Sequence, residues 1–173
     1  MAKKKKGKSE EDEAQDVYLA VRIRGAPGMR GKISDTLKML GLHKINHATL
    51  VWGNKSYMGM LRKCKDYIAY GKVTEKTLVR LLRVRGRIEG NKPLTDEHVK
   101  HATEYKNIKE LARALMEGEI QYKEKSLFKL KPIFRLHPPR KGFRGTIKRS
   151  FAEGGTLGKC PEDYMNNLIY RMM

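Results

Sequence analysis

Cysteine is scarce in this chain. Cys64 and Cys160 are the only two in 173 residues, and neither sits in a Cys-x-x-Cys pair. That argues against a disulfide framework and suits a reducing cytoplasm. Long apolar runs are missing too. No stretch approaches the roughly 20 residues of a membrane-spanning helix, and no apolar segment follows the N-terminal lysines, so no secretory signal is read. Acids are the third shortage: 19 Asp+Glu face 38 Lys+Arg, giving a formal charge of +19 and a pI near 10.0. A free compact body with such an excess repels itself, and the usual compensation is a polyanion. With no membrane segment in view, nucleic acid is favoured over an anionic membrane.

Catalytic patterns are missing as well. Gly31-Lys32 would need a glycine where Ala26 stands and a hydroxyl residue where Ile33 stands. Gly158-Lys159 fails likewise at Glu153 and Cys160, so neither is a Walker phosphate loop. His98 and His101 lack further ligands, and His43 and His47 flank a strand start, so the histidines are read as structural or RNA-contacting, not metal-binding. Cys64 lies on an apolar helix face and reads as core. No Gly-x-Ser-x-Gly or His-Glu-x-x-His occurs, and no paired carboxylates stand in a cleft-like context. No enzyme, cofactor or small-molecule substrate is expected.

What is present is charge, unevenly spread. Residues 1–16 hold 5 cations and 5 acids, and residues 17–73 hold 11 and 2. Residues 74–125 hold 12 and 9, and residues 126–173 hold 10 and 3. The polyanion-facing surfaces should therefore lie in the second and fourth segments. The first segment, Lys3 to Lys8 followed by acids, reads as a flexible charged tail.

Residues 17–73 read as a β-α-β-α-β core. Val17, Leu19, Val21 and Ile23 alternate with Tyr18, Ala20 and Arg22, the pattern of a half-buried strand. Ile33, Leu37 and Leu40 mark a helix face, and Gly41-Leu42 its C-cap. A second strand spans Ala48 to Trp52. Asn54 can cap a second helix whose buried side holds Tyr57, Met60, Leu61 and Cys64. A short third strand, Tyr67 to Tyr70, ends at Gly71. This α+β unit places two helices on one face of a three-stranded sheet. The loop Gly25 to Gly31 either presents backbone N–H groups to a phosphate near Arg30 and Lys32 or is simply a tight strand-to-helix turn.

Residues 74–125 read as a helical extension. Leu78, Leu81 and Leu82 form one stripe, while Arg80, Arg83 and Arg87 occupy another side, either solvated or on RNA. A short helix follows Pro93-Leu94-Thr95. Asn107 with Glu110 reads as a capping box before the stripe Ile108, Leu111 and Leu115, which Gly118 stops. Residues 126–173 read as a basic arm and a C-terminal helix with Pro161 at its first position. In the arm Lys129, Lys131, Arg135, His137, Arg140, Lys141, Arg144, Lys148 and Arg149 interleave with Phe128, Phe134, Phe143 and Phe151. Arg forks suit phosphate oxygens, and phenylalanine rings can stack on unpaired bases at roughly 1–3 kcal/mol each.

Val21-Arg22-Ile23-Arg24-Gly25 and Leu40-Gly41-Leu42-His43-Lys44-Ile45-Asn46 resemble the universal large-subunit ribosomal protein family numbered thirty in bacteria. Phe151-Ala152-Glu153-Gly154-Gly155 and Asn167-Leu168-Ile169-Tyr170-Arg171-Met172 resemble its archaeal long form and the eukaryotic counterpart numbered seven. The resemblance runs from about Val17 to the C-terminus. It implies a ferredoxin-like arrangement and an integral, cytoplasmic ribosome component bound to large-subunit ribosomal RNA. It also implies neighbouring ribosomal proteins, with the small 5S RNA among the candidate partners. The brief lysine tail, in place of a long basic extension, points to an archaeon.

The candidate RNA contacts are Arg22, Arg24, Arg30, Lys32, Lys44, Lys55, Arg62 and Lys63 in the core. In the arm they are Arg135, His137, Arg140, Lys141, Phe143, Arg144, Lys148 and Arg149. Two other classes remain as alternatives: a free RNA-modifying or RNA-processing enzyme, which needs an acid/base pair or metal, and a DNA-compacting protein, which should bind duplex DNA as well as ribosomal RNA.

Overall fold

The computed structural model describes residues 16–118 and 130–173. Its elements run β1 (Val17–Arg22), α1 (Gly31–Met39), β2 (His47–Trp52), α2 (Lys55–Lys63) and β3 (Ile68–Lys72). There follow α3 (Glu75–Arg85), α4 (Asp96–Ala102), α5 (Ile108–Glu117), β4 (Phe134–Arg135), β5 (Gly158–Lys159) and α6 (Glu162–Met172). Residues 1–15, read above as a flexible tail, lie outside the described residues, as do Phe128 and Lys129 at the head of the arm.

The expected α+β unit is there. β1 lies at the centre, antiparallel to β2 on one side and to β3 on the other. The chain leaves β2, forms α2 and re-enters the sheet beyond β1 as β3. Tyr18, Ala20, Val51, Ile68 and Tyr70 pack against Leu37, Leu40, Leu61 and Cys64 of the α1/α2 layer. α1 stops as its sequence predicts. Gly41 takes φ +80°, its N–H donates to the Lys38 carbonyl, and the Leu42 N–H donates back to that of Leu37.

The sheet differs from expectation in two respects. It has five strands, in the order β4-β2-β1-β3-β5. β4 joins β2 antiparallel and β5 joins β3 in parallel, each with two residues, too few to show a period in sequence. Nor is β1 half-buried: all six of its residues are buried. Leu19 and Val21, with Leu50 of β2, face a second layer containing Leu78, Leu82, Leu111, Leu115, Leu168 and Ile169 from α3, α5 and α6. The alternation in β1 separates two cores rather than core from water, because Tyr and Ala fit a core as readily as Val and Leu.

Gly71 does not end the third strand but lies within it. A Cβ there would sit 2.7 Å from the Cys160 carbonyl oxygen and 3.2 Å from the Met165 Cβ, so glycine lets β5 and α6 come this close. Three cap expectations also change. The Asn54 and Asn107 side chains make no capping bond. Asp96 Oδ1 instead accepts from the Ile108 N–H at 2.9 Å, and Glu110 reaches back to the Lys106 N–H at 2.9 Å. Pro161 precedes α6 at the cap position rather than opening it.

Candidate RNA interface

The two layers begin their helices differently. α3, α4, α5 and α6 each carry an acid in the first turn: Glu75, Asp96 with Glu97, Glu110, and Glu162 with Asp163. That is the favourable arrangement against a helix dipole, worth about 0.3–1 kcal/mol each. α1 and α2 have no first-turn acid and no side-chain cap. Arg30 stands at the α1 cap with Lys32 just inside the helix, and Lys55 opens α2; all three are exposed. Cations at the positive end of a helix are unfavourable unless an anion joins them.

A further group of cations gathers where β1 ends and β2 and β3 begin. Arg22 is 6% exposed, and its guanidinium is engaged internally. Nε donates to the Arg24 carbonyl at 3.0 Å, and one terminal nitrogen donates to the carbonyls of Leu42 at 2.9 Å and His43 at 2.8 Å. Burial lowers its pKa. Arg22 therefore clamps the 41–46 turn. Arg24 lies 5.1 Å over the Tyr67 ring and donates to the Asp66 carbonyl. Arg62 and Lys63 are exposed in the last turn of α2.

The held turn displays His43 and Lys44, both exposed, beside His47, while β4 brings Arg135 directly opposite His47. Burial first, then Arg135, His43, Lys44 and Arg22, lower the His47 pKa from its ordinary 6.5. Sequence reasoning left His43 and His47 out of the candidate set. His47 meets Arg135 through a strand pairing to a residue 88 positions away, for which the sequence carries no local signal.

The arm is irregular but tied down. His137 N–H donates to the Met172 carbonyl and Arg140 N–H to that of Arg171, while an Arg171 terminal nitrogen donates to Gly142 O at 2.6 Å. Thr156 Oγ donates to Arg144 O, and the Leu157 N–H donates to Arg149 O. The backbone is thereby fixed while the side chains of His137, Arg140, Lys141, Arg144, Lys148 and Arg149 remain exposed. The three phenylalanines of the arm among the described residues do not fit the stacking expectation. Phe134 is fully buried, Phe143 packs half-buried on the core, and Phe151 lies between Tyr164 (4.9 Å) and the Arg144 guanidinium (4.8 Å). They anchor the arm, which is why aromatics recur in so basic a segment.

None of the candidate cations is ion-paired among the described residues; the pairs Lys38–Asp35, Lys72–Asp16 and Arg113–Glu75 use others. Both cysteines are buried and free, with burial pushing Cys64 to about 11 and Cys160 to about 12, so both remain thiols in the core. Among the described residues no group of three or more His, Cys, Asp or Glu could hold a metal ion, and no helix is long and apolar enough to cross a membrane.

A family described as ribosomal protein L30p/L7e matches residues 18–68, from β1 to the start of β3. The large ribosomal subunit protein uL30 of Methanoculleus marisnigri is 48% identical over 156 residues, spanning 90% of this chain and 99% of its own. Its namesake from Methanocorpusculum labreanum is 47% identical over 156 residues, with the same coverage. That from Methanococcus maripaludis strain C5 is 47% identical over 157 residues, again covering 90% and 99%. Near-half identity over nine-tenths of the length, across both the sheet and the arm, places the chain in the L30p/L7e family of ribosomal proteins, as a homologue of the large-subunit protein uL30.

Proposed function

We propose that this chain is a structural, non-enzymatic constituent of the large subunit of the cytoplasmic ribosome, and that it binds ribosomal RNA through the α1/α2 side of its sheet and through its C-terminal arm. Neighbouring ribosomal proteins share that setting, and the small 5S RNA is a candidate beside the large RNA. Family membership supports the assembly. One observation carries the assignment of surface: cations without ion-pair partners among the described residues stand at acid-free helix starts and along a pinned arm. A polyanion supplies the missing charge.

The proposed contacts are Arg24, Arg30, Lys32, Lys44, Lys55, Arg62 and Lys63, with Arg135, His137, Arg140, Lys141, Arg144, Lys148 and Arg149 of the arm. Arg22 and Phe143 act behind them, as clamp and anchor. Such contacts read backbone and shape more than sequence. Each phosphate neutralised releases counterions, so log affinity should fall with log salt by about 0.7–0.9 per contact. Two measurements test the reading: sedimentation with the large subunit through a high-salt gradient, and competition between ribosomal RNA and duplex DNA at equal salt. A protein absent from the subunit, or one whose RNA affinity ignores salt, overturns it.

A further inference from the structure

The corner around His47 is more specific than a general basic surface. The antiparallel pairing of β1 with β2, one step beyond Val21–Ala48, brings Arg22 beside His47, and β4 places Arg135 on its other side. Three basic side chains thus form a row across three adjacent strands on one face of the sheet. A proton on the imidazole would meet a like charge on either side, which is destabilising. The turn above adds His43 and Lys44, and none of these five is ion-paired among the described residues.

The corner is also preorganised. Arg22 holds two carbonyls of the turn, Asn46 N–H donates to Arg22 O, and Leu136 N–H donates to Asn46 O, which ties β4 to the same place. The Lys44 N–H points at His47 Nδ1, at 3.4 Å. An Nδ1 that accepts leaves Nε2 to carry the proton of the neutral ring, so the ring can still donate outward.

We propose that His43, Lys44, His47 and Arg135 form a binding site for one backbone phosphate of ribosomal RNA, and that His47 takes up a proton when that phosphate enters. The inference rests on the RNA-binding reading above and deepens it. In the free protein the groups facing His47 are all cationic or potentially so: Arg135 from β4, Arg22 from β1, and His43 and Lys44 from the turn. They and burial favour the neutral ring. The diester anion of the RNA backbone offsets that field and favours the imidazolium. Binding then draws a proton from solvent onto Nδ1, which gives up its long 3.4 Å contact with the Lys44 N–H while Nε2–H donates to the phosphate, and affinity rises as pH falls toward and below the ordinary histidine range.

The test uses the full chain and deproteinised large-subunit ribosomal RNA, with affinity measured from pH 5.5 to 8 at constant salt. Wild type should gain affinity on acidification with a slope steeper than that of His47→Gln by up to about one proton, or tenfold per pH unit. His101→Gln, exposed on α4, should keep the wild-type slope. Inorganic phosphate should raise the His47 titration midpoint seen by imidazole NMR, whereas chloride at equal ionic strength should not. If His47→Gln folds poorly, Arg135→Gln replaces it. Removing that neighbour raises the midpoint in the free protein and shrinks the proton uptake on binding. RNA bound with the same pH slope in wild type and in whichever variant is used overturns the phosphate site but leaves the RNA-binding reading standing. No RNA binding at any pH or salt overturns both.

Discussion

The two helical layers of this sheet follow opposite electrostatic rules. On the α3–α6 side, helices open with acids, and Arg113 pairs with Glu75. On the α1/α2 side, helices open with cations, acids are few, and a row of basic groups crosses the strands unpaired. The first layer meets its helix starts with its own acids, whereas in the reading proposed above an RNA anion does so for the second. On that proposal, a layer that neutralises its own helix ends and a layer that meets nucleic acid are joined back to back through β1. The arm shares both habits, burying its rings in the core and leaving its guanidinium and ammonium groups outside.

The largest test of that division targets the arm's anchor. Phe134 is fully buried where β4 meets β2. Phe134→Ala should cost about 3–5 kcal/mol of stability in denaturant unfolding and should loosen Arg135 with it. Arg135→Gln should leave stability nearly unchanged and weaken RNA binding alone. If Phe134→Ala were mild, the arm would not be part of the fold.

Arg22 provides the next contrast, because it looks like an RNA contact in sequence and acts as a clamp in the structure. Arg22→Met keeps much of the volume but leaves the Leu42 and His43 carbonyls without their donor. A loss of about 2 kcal/mol is expected. The salt dependence of RNA binding should persist, since no direct phosphate contact is removed. A reduced salt slope with unchanged stability would place Arg22 among the contacts instead.

Arg22 also shows where the sequence stops being legible. The β-α-β-α-β order, the Gly41 stop, the buried face of α2 with Leu61 and Cys64, and the α3 stripe could all be read, because each is a local pattern of three to eight residues. What could not be read depends on contacts distant in sequence. β4 and β5 are two residues long and exist only because β2 and β3 offer edges. The second core face of β1 needs α3, α5 and α6 to be in place. Asp96 caps α5 from 12 residues away, which no local capping box predicts. The same holds for the candidate interface. Lys and Arg could be named from charge alone, but the inward hydrogen bonds of Arg22 to the turn and the cationic surroundings of His47 depend on residues distant in sequence.

Smaller effects should have opposite signs on the two layers. Lys32→Gln and Lys55→Gln remove cations from helix starts, so each should stabilise the free protein by about 0.3–1 kcal/mol. The same changes should weaken RNA binding and reduce the salt slope by about 0.7–0.9 per lost phosphate contact. Glu162→Gln, at the start of α6, should destabilise the fold by a similar few tenths and leave RNA binding alone. Equal signs on both layers would remove the contrast.

The smallest effect concerns acid. His47 is held below 6.5 in the folded protein, by burial first and then by Arg135, His43, Lys44 and Arg22. The unfolded chain therefore binds the proton more readily than the folded one. The contribution of His47 to stability is full above 6.5 and declines as pH falls through the lowered folded value. Thermal unfolding of the free protein at pH 5 and pH 8 should show a larger loss on acidification for wild type than for His47→Gln. RNA affinity should move the other way, strengthening on acidification in wild type more than in the variant. One side chain that weakens the free fold in acid while tightening the complex is hard to obtain from a merely structural histidine, for which both differences would share a sign or vanish.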